Sequence, residues 1–463
     1  MATALQAKDP ADWVYRGEGA VNLVLGYCGS SPNFVGKVLR IQKISNTEPA
    51  CENGQTVLTK HENLLWSQYE GIVSAPTREI ADQLYVQKVI CPLLGSEHVD
   101  AGIRVLASKE FLEAIERKIL NQRPPWRVDA AKINPLCDSV LLIADHSTFP
   151  CVPGVNKEDY CIAVEIKPKG GFLPISEFIA EENAVKKKIS RFTMHQALKF
   201  HQGKISQVSK YDPLDMFSGS KERIHKAIES LFHTPQNNFR VFLNGSLIFG
   251  SMGGALDKTS YMVNQVFQDG LKHVILAKDG MHIKYILELV AEIIIKSGLL
   301  NRLLEIQKLD AFDIEGAIHT YYDTVAKPCI VCQEKGVNKL MATYSKLHSM
   351  PRDEKLKVVR DYLISATAKD ISMMITFRAR ENKDTAPSRS SVFLESTNQS
   401  FDYKVSFVDL DMKPLEKMEH YYKLDQQIVS HYRKVINDKD GIDCAEVPPK
   451  KHTNGFGSQH HTI

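Results

Sequence analysis

Two apolar runs near the start of the chain flank a polar stretch. Leu23-Val24-Leu25-Gly26-Tyr27-Cys28 and Phe34-Val35-Gly36-Lys37-Val38-Leu39-Arg40-Ile41 enclose Gly29 to Asn33. This pattern predicts a two-stranded hairpin with a glycine-rich entrance, Arg16-Gly17-Glu18-Gly19-Ala20-Val21-Asn22. A polar loop is predicted from Ile44 to Thr56, then helices and short strands from Val57 to Leu120. Ser108 is placed to cap one helix, and Arg123-Pro124-Pro125-Trp126-Arg127 breaks it. Ser139 to Ala144 reads as a buried strand entering a connector at Asp145-His146, where a lobe boundary falls.

Past that connector, Tyr160 to Val164 is another β-favouring run, followed by Glu165-Ile166-Lys167-Pro168-Lys169-Gly170-Gly171. Extended geometry would place Glu165, Lys167 and Lys169 on one face, although a charged edge strand would show the same pattern. Helical spacing puts Lys187, Arg191, His195 and Lys199 on one stripe. Pro235 to Arg240, with Asn237 and Asn238, marks a turn before Val241-Phe242-Leu243. Tyr285 to Leu300 is a core helix with Glu288, Glu292 and Lys296 as its wet stripe, and Ile306 to Asp323 is a further helix. Asp353 is placed as the cap of a helix carrying Leu356, Val359, Leu363 and Ala366. Strands are predicted at Ile371 to Phe377 and Phe401 to Phe407, separated by a polar insert, 378–400, expected to be mobile. Pro414 suits a first helical turn and puts Lys413, Lys417 and Tyr421 on one face. The organisation expected is thus a lobe at 1–143, a larger lobe at 144–437 and a disordered tail at 438–463.

Composition narrows the function classes. A formal charge of +3 argues against a generally basic nucleic-acid binder, so any cationic site must be local. Nine scattered cysteines, an odd number, suit a reducing compartment with one metal site better than a disulfide framework. The N-terminus does not read as a signal peptide and no run reads as a membrane span, so a cytoplasmic or nuclear monomer without membrane partners is expected.

The candidate chemistry is phosphate handling. Glycines at a hairpin turn let backbone N–H groups face phosphate oxygens, and the next strand offers Lys37 or Arg40 as a cation; an ordinary hairpin would read alike. Asp370 opens one predicted strand and Asp409 closes the other, so the two should lie side by side. Asp370 could then accept a hydroxyl proton while Asp409 holds Mg²⁺, though aspartates are also common turn residues. His319, Cys329, Cys332 and His348 offer two imidazoles and two thiolates, a tetrahedral zinc set with no open position; unrelated reduced thiols are the alternative.

Arg-Gly-Glu-Gly at 16–19, Glu-x-Lys-Pro-Lys at 165–169, Arg-Phe-x-Met-His at 191–195 and Asn-Asn-Phe-Arg at 237–240 occur in this order, followed by Ala-Lys-Asp at 368–370 and Val-Asp-Leu at 408–410. From about Asp12 to Arg433 the chain resembles the plant inositol-pentakisphosphate 2-kinase family. The resemblance implies a two-lobed α+β kinase-like fold with an enlarged C-terminal lobe and a structural zinc site. It also implies phosphoryl transfer from ATP to the axial 2-hydroxyl of inositol 1,3,4,5,6-pentakisphosphate, giving the hexakisphosphate. It assigns ATP to Arg16, Gly17, Glu18, Gly19, Ala20, Val21, Asn22, Arg40, Arg127, Asp145, His146, Glu165 and Arg240, with Arg40 as the strand cation. Lys167, Lys169, Lys199, Asn237, Lys413 and Tyr421 would grip the inositol phosphate, joined by His195, Asn238 and Lys417 from the same elements. Asp370 resembles the family's catalytic aspartate, Asp409 its Mg²⁺ aspartate, and the His/Cys set its zinc ligands. The family can carry Asn at Ala144 and Arg at Lys417; lysine there keeps the charge and loses the two-pronged contact. The lobes are expected to close on substrate, since the cations lie far apart in the chain. A protein kinase fits poorly, without His-Arg-Asp-like or Asp-Phe-Gly-like motifs. A non-catalytic inositol-phosphate sensor would have no need of the two aspartates.

Overall fold

Strand-forming residues gather into two antiparallel sheets in the computed structural model, which describes residues 5–6, 9–46, 58–149, 160–251, 265–335, 340–380 and 390–440. The first sheet contains β1 (Trp13–Glu18), β2 (Asn22–Tyr27), β3 (Lys37–Ser45), β4 (Ile103–Leu106), β5 (Ala131–Ile133) and β6 (Ser139–Ala144), in the order β1-β2-β3-β6-β4 with β5 beside β3. The second contains β7 (Cys161–Ile166), β8 (Phe239–Leu243), β9 (Ser246–Phe249), β10 (Ser372–Ala379), β11 (Ser391–Leu394) and β12 (Gln399–Val408), in the order β11-β12-β10-β7-β8-β9. The predicted hairpin is β2 and β3, paired from Asn22 opposite Gln42 to Gly26 opposite Val38. Ser108 caps the helix Lys109–Ile119 by accepting from the Phe111 N–H.

Each sheet has its own apolar core. Trp13, Leu23, Leu25, Leu39 and Ile41 join Phe111, Leu112 and Ile115 under the first. The second core is larger and takes in the helices Lys221–His233, His282–Ser297, Leu299–Gln307 and Arg352–Ala368. It also takes Leu65, Trp66, Tyr85 and Ile90. Thus 58–99, early in the chain, packs into the core of the second sheet. The Val99–Phe407 bridge and the Phe407 N–H on the His98 carbonyl (2.8 Å) fasten this segment to β12.

Several local expectations change. The run ending at Glu165 is no edge: β7 lies between β10 and β8, and all six of its residues are buried. Lys187 lies outside the helix predicted to carry it. Ser190 accepts from the Thr193 N–H, so the helix is Arg191–His201, and Glu181–Lys187 forms a separate 3₁₀ segment. The predicted Ile306–Asp323 helix is two, Leu299–Gln307 and Asp313–Thr324. Asp313, with φ 58°, turns the chain between them, a conformation Asp tolerates better than most residues. Asp353 is inside the first turn of Arg352–Ala368; Pro351 holds the cap position. The polar insert contributes the end of β10, all of β11 and the start of β12, with 381–389 outside the described residues. Pro414 precedes a 3₁₀ turn, Leu415–Lys417, so Lys413 lies before the helix Met418–Asp440. That helix runs past 438; the tail prediction otherwise falls outside the described residues, as does most of the loop predicted at 44–56.

Candidate active site

A cleft of about 460 Å³ separates the sheets. Its walls include every residue from Arg16 to Asn22, with Arg40, Arg127, Asp145, His146, Glu165, Lys167, Asn237, Arg240, Asp370 and Asp409. The glycine-rich segment is the β1–β2 turn, with an irregularity between Tyr15 and Gly17. Lys43 fixes it from below, donating to the Gly19 carbonyl (2.8 Å) and pairing with Glu18. The Glu18 side chain is buried and also takes both prongs of Arg123 (2.8 and 3.0 Å). Burial opposes its charge, but Arg123 and Lys43 outweigh burial and hold its pKa below the ordinary value. Glu18 therefore anchors the turn through its side chain. Arg16 crosses the cleft to the Gly245 carbonyl, and Gly26 gives it room: a Cβ there would lie 2.3 Å from Arg16 Nε. Of the two candidate cations on β3, Lys37 and Arg40, it is Arg40 that lines the cleft. It pairs with Asp411, while the Asn22 amide oxygen, turned toward it, accepts from Nη2 (2.8 Å) and Nε (3.2 Å).

At the connector, the Asp145 carboxylate accepts from the Ser147 N–H (2.9 Å) and the Ala144 N–H donates to Asp100 (2.8 Å). That Ala144 donor is thus already used within the protein. Burial lowers the His146 pKa to about 4, with help from Lys404, so its imidazole is neutral at pH 7. Arg127 lines the cleft with its guanidinium 4.0 Å above Trp126, and its buried Nε has no acceptor among the described residues.

Charged groups converge where β7, β10 and β12 end. Ser372 opposite Val408 leaves Asp370 and Asp409 just past neighbouring strand ends, as predicted. Glu165 accepts from Arg240 Nη1 (2.8 Å) and faces the Ser372 hydroxyl (2.8 Å), which also lies 3.1 Å from Asp409. Lys167 pairs with Asp409 at 2.6 Å; Lys169 and Lys413 each reach Asp370 at 3.1 Å. Lys169 does so from a left-handed backbone (φ 61°) and not from a continued strand. Both aspartates are about half exposed. Burial disfavours the Asp370 carboxylate, but Lys169, Lys413 and Lys167 hold it well below the usual range. Burial likewise works against the Lys167 ammonium and is outweighed by Asp409, Glu165 and Asp370, which raise its pKa.

The Arg191–His201 helix brings His195 and Lys199 to this cluster. Burial, then Lys199 and Arg191, lower the His195 pKa to about 3. Burial, then Lys169 and Arg191, lower that of Lys199 to about 8. His195 is therefore a neutral hydrogen-bonding group at pH 7 and no part of a cationic stripe. Asn237 is exposed at the cleft, whereas Asn238 is buried behind it, its carbonyl receiving the Lys167 N–H (2.9 Å). Tyr421 lies close enough to Asp370 for that charge to help burial raise its pKa to about 12. Lys417 is exposed and makes no ion pair among the described residues.

A second constellation lies apart from the cleft. Cys329 Sγ and Cys332 Sγ are 3.3 and 3.4 Å from His319 Nδ1, and Cys332 Sγ is 3.3 Å from His348 Nε2. Tetrahedral Zn²⁺ with bonds of about 2.3 Å to S and 2.0–2.1 Å to N puts S and N roughly 3.5 Å apart, so the four donors fit. Asp323 faces His348 Nδ1 (2.9 Å), the outer partner that leaves Nε2 for a metal. The cysteines sit on a helical turn, with the Gln333 N–H on the Cys329 carbonyl.

A family model described as inositol-pentakisphosphate 2-kinase matches residues 15–427. The chain belongs to the inositol-pentakisphosphate 2-kinase family. An Arabidopsis thaliana protein named inositol-pentakisphosphate 2-kinase is 52% identical over 437 residues, spanning 94% of this chain and 96% of that protein. A relative of the same enzyme name from Oryza sativa subsp. indica is 49% identical, spanning 97% and 99%. A Danio rerio relative of that name is 28% identical over 92% of the chain, so this family member is more similar to those two plant relatives. The mixed helices and antiparallel sheets fit a kinase-like α+β fold.

Sequence reading overlooked three groups that line or support this family member's cleft. Lys43 is buried beneath the turn, Ser372 lies between two carboxylates, and Asp411 holds Arg40. Asp411 carried a signal, a second acid two residues past Asp409. Ser372 carried none, since a serine opening a strand is ordinary.

Proposed function

We propose that the protein transfers the γ-phosphoryl group of ATP to the axial 2-hydroxyl of inositol 1,3,4,5,6-pentakisphosphate, giving the hexakisphosphate. Family membership supports the reaction. The observation that carries it to particular residues is Asp370, which stands where the nucleotide cleft meets the lysines of three separate segments. Lys169 and Lys413 both pair with Asp370. A pentakisphosphate offers both ammonium groups stronger anionic partners. Their transfer to substrate phosphates removes two of the three lysine interactions that depress the Asp370 pKa, so substrate binding makes this carboxylate a better base. The 2-hydroxyl then loses its proton to Asp370, its oxygen bonds to the γ-phosphorus, and the β–γ bridging bond breaks with its electron pair leaving on ADP. Lys167, Lys199, Asn237 and Tyr421 position the inositol, and Arg40, Arg127 and the β1–β2 turn position ATP.

Asp409, half exposed at the cleft and backed by Ser372 and Glu165, is a hard oxygen donor suited to Mg²⁺. When bound, Mg²⁺ would neutralise charge on the phosphate oxygens. His319, Cys329, Cys332 and His348 would hold a structural Zn²⁺. Four protein ligands leave it no open position, so it would tie the Asp313–Thr324 helix to 329–348.

The test is a Mg²⁺·ATP assay on separated inositol-phosphate isomers, comparing wild type with Asp370→Asn. Hexakisphosphate made only from the isomer with a free 2-hydroxyl, and lost in the variant, is expected. Tight substrate binding without turnover by folded wild type would instead make the protein a sensor. Metal analysis after dialysis should return about one zinc per chain, and none would remove the zinc assignment.

A further inference from the structure

Arg40 lines the cleft from the first sheet, yet its acidic partner comes from the far side, past the end of a strand of the second. Asp411 lies two residues beyond Asp409, on the segment leaving β12. We propose that Asp411 is a positioning residue for ATP: it orients Arg40 and ties it to the elements that carry Asp370 and Asp409. Protein kinases fix their β3 cation with a glutamate on a helix of the same lobe. Here the same task falls to an acid from the opposite side of the cleft.

The donor count of Arg40 supports this reading. A guanidinium has five N–H groups. Asp411 takes one at Nη2, and the Asn22 oxygen takes one at Nη2 and the Nε–H. Nη1 has no acceptor among the described residues, so its two N–H groups remain for a bidentate grip on phosphate oxygens. The two acceptors therefore set the orientation of the group and leave one edge for the ligand. A mere placeholder for the nucleotide would occupy that edge.

Asp411 is itself fixed. Its carbonyl accepts from Thr367 Oγ1 (3.1 Å), and Tyr85, buried, donates to the same hydroxyl (3.3 Å). The Thr367 carbonyl accepts the Asp370 N–H (2.9 Å). One threonine thus holds the backbone of both the candidate base and the Arg40 partner. The arrangement sets the phosphate end of ATP in register with Asp370 across two sheets.

The inference rests on the kinase reading for its ligand, and its test reads binding instead of turnover. The Kd of the non-hydrolysable β,γ-imido analogue of ATP with Mg²⁺ is measured by calorimetry for wild type, Asp411→Asn, Arg40→Met and the double variant. Asp411→Asn should weaken binding about tenfold and leave affinity for inositol pentakisphosphate within about twofold. In the Arg40→Met background the same change should cost less than about twofold, because Asp411 acts through Arg40. Unchanged or tighter binding by Asp411→Asn would overturn the proposal. So would a full tenfold loss in the Arg40→Met background, which a general disturbance of the segment would produce. An effect that vanishes at saturating Mg²⁺ would also overturn it, since Asp411 would then be a metal ligand. If wild type binds the analogue but shows no turnover with ATP, the kinase reading fails and this one stands.

Discussion

Replacing Lys186 by Met should unsettle the two helices that present His195, Lys199 and Tyr421, although Lys186 touches no substrate. Its buried ammonium pairs with Asp313, with Glu315 at 3.2 Å and with Asp425 at 2.7 Å, joining the segment before the 191–201 helix to the 313–324 and 418–440 helices. The three carboxylates each offer an oxygen within 4.8 Å of the others. At an effective dielectric of about 20, one such pair repels by about 3.5 kcal/mol or more. Removing one partner of a buried ion pair costs about 3–5 kcal/mol in general, so a loss of this size is expected from a typical total of about 5–15 kcal/mol. The deficit should depend on pH. Burial, only partly offset by Lys186, raises the folded Asp313 pKa above its ordinary 3.8, so folding takes up a proton and ionisation there costs stability as pH rises past that value. Without Lys186 the carboxylates hold their protons more tightly still. The variant's loss should therefore be larger at pH 8 than at pH 5.5. Asn tolerates the left-handed backbone at 313, and Lys186→Met/Asp313→Asn should recover part of the loss. Urea unfolding at both pH values reads these effects, alongside the KM for inositol pentakisphosphate, which should rise. A loss below about 1 kcal/mol, or one equal at both pH values, would refute the reasoning.

Asp370→Asn should keep the fold and lower kcat by roughly 10²–10⁴-fold, the usual scale for a lost general base; full activity would move the base elsewhere. Lys199, with a pKa near 8, should give substrate affinity that falls from pH 7 to 9, since its charge is present below that value and lost above it. Lys199→Arg should flatten this profile in a direct binding titration, and an unchanged slope would remove Lys199 as its cause. Asp323→Asn should weaken zinc affinity about 10–100-fold through His348, measured by chelator competition; equal affinity would make Asp323 incidental. Adding both substrates should slow hydrogen exchange in the β1–β2 turn and at 409–413, where the sheets meet the cleft, and unchanged exchange would argue against closure.

Local chemistry was readable from the chain alone wherever one element decides it. Alternation of apolar residues marked β12, the Ser108 side chain marked a helix start, and the spacing of Cys329 and Cys332 marked one donor pair. The order of short motifs was enough to indicate the family. Asp370 and Asp409 were correctly placed together because two antiparallel strand ends must meet. Other features depended on what lies opposite. Glu165 and Lys167 resemble an edge strand until β10 and β8 are seen to cover both sides of β7. Lys186 and Lys187 are adjacent lysines in sequence, yet one is buried among three acids and the other lies outside the helix whose stripe it was predicted to join. His195 falls on a cationic stripe by spacing, and burial among cations keeps its imidazole neutral well below pH 7. Asp411 reads as one more acid in a turn until the fold sets it against Arg40, 371 residues away. Hydrophobic period and capping act over a few residues and leave a local trace. Ion-pair partners and pKa depend on distance and burial, and these exist only after the two sheets have come together.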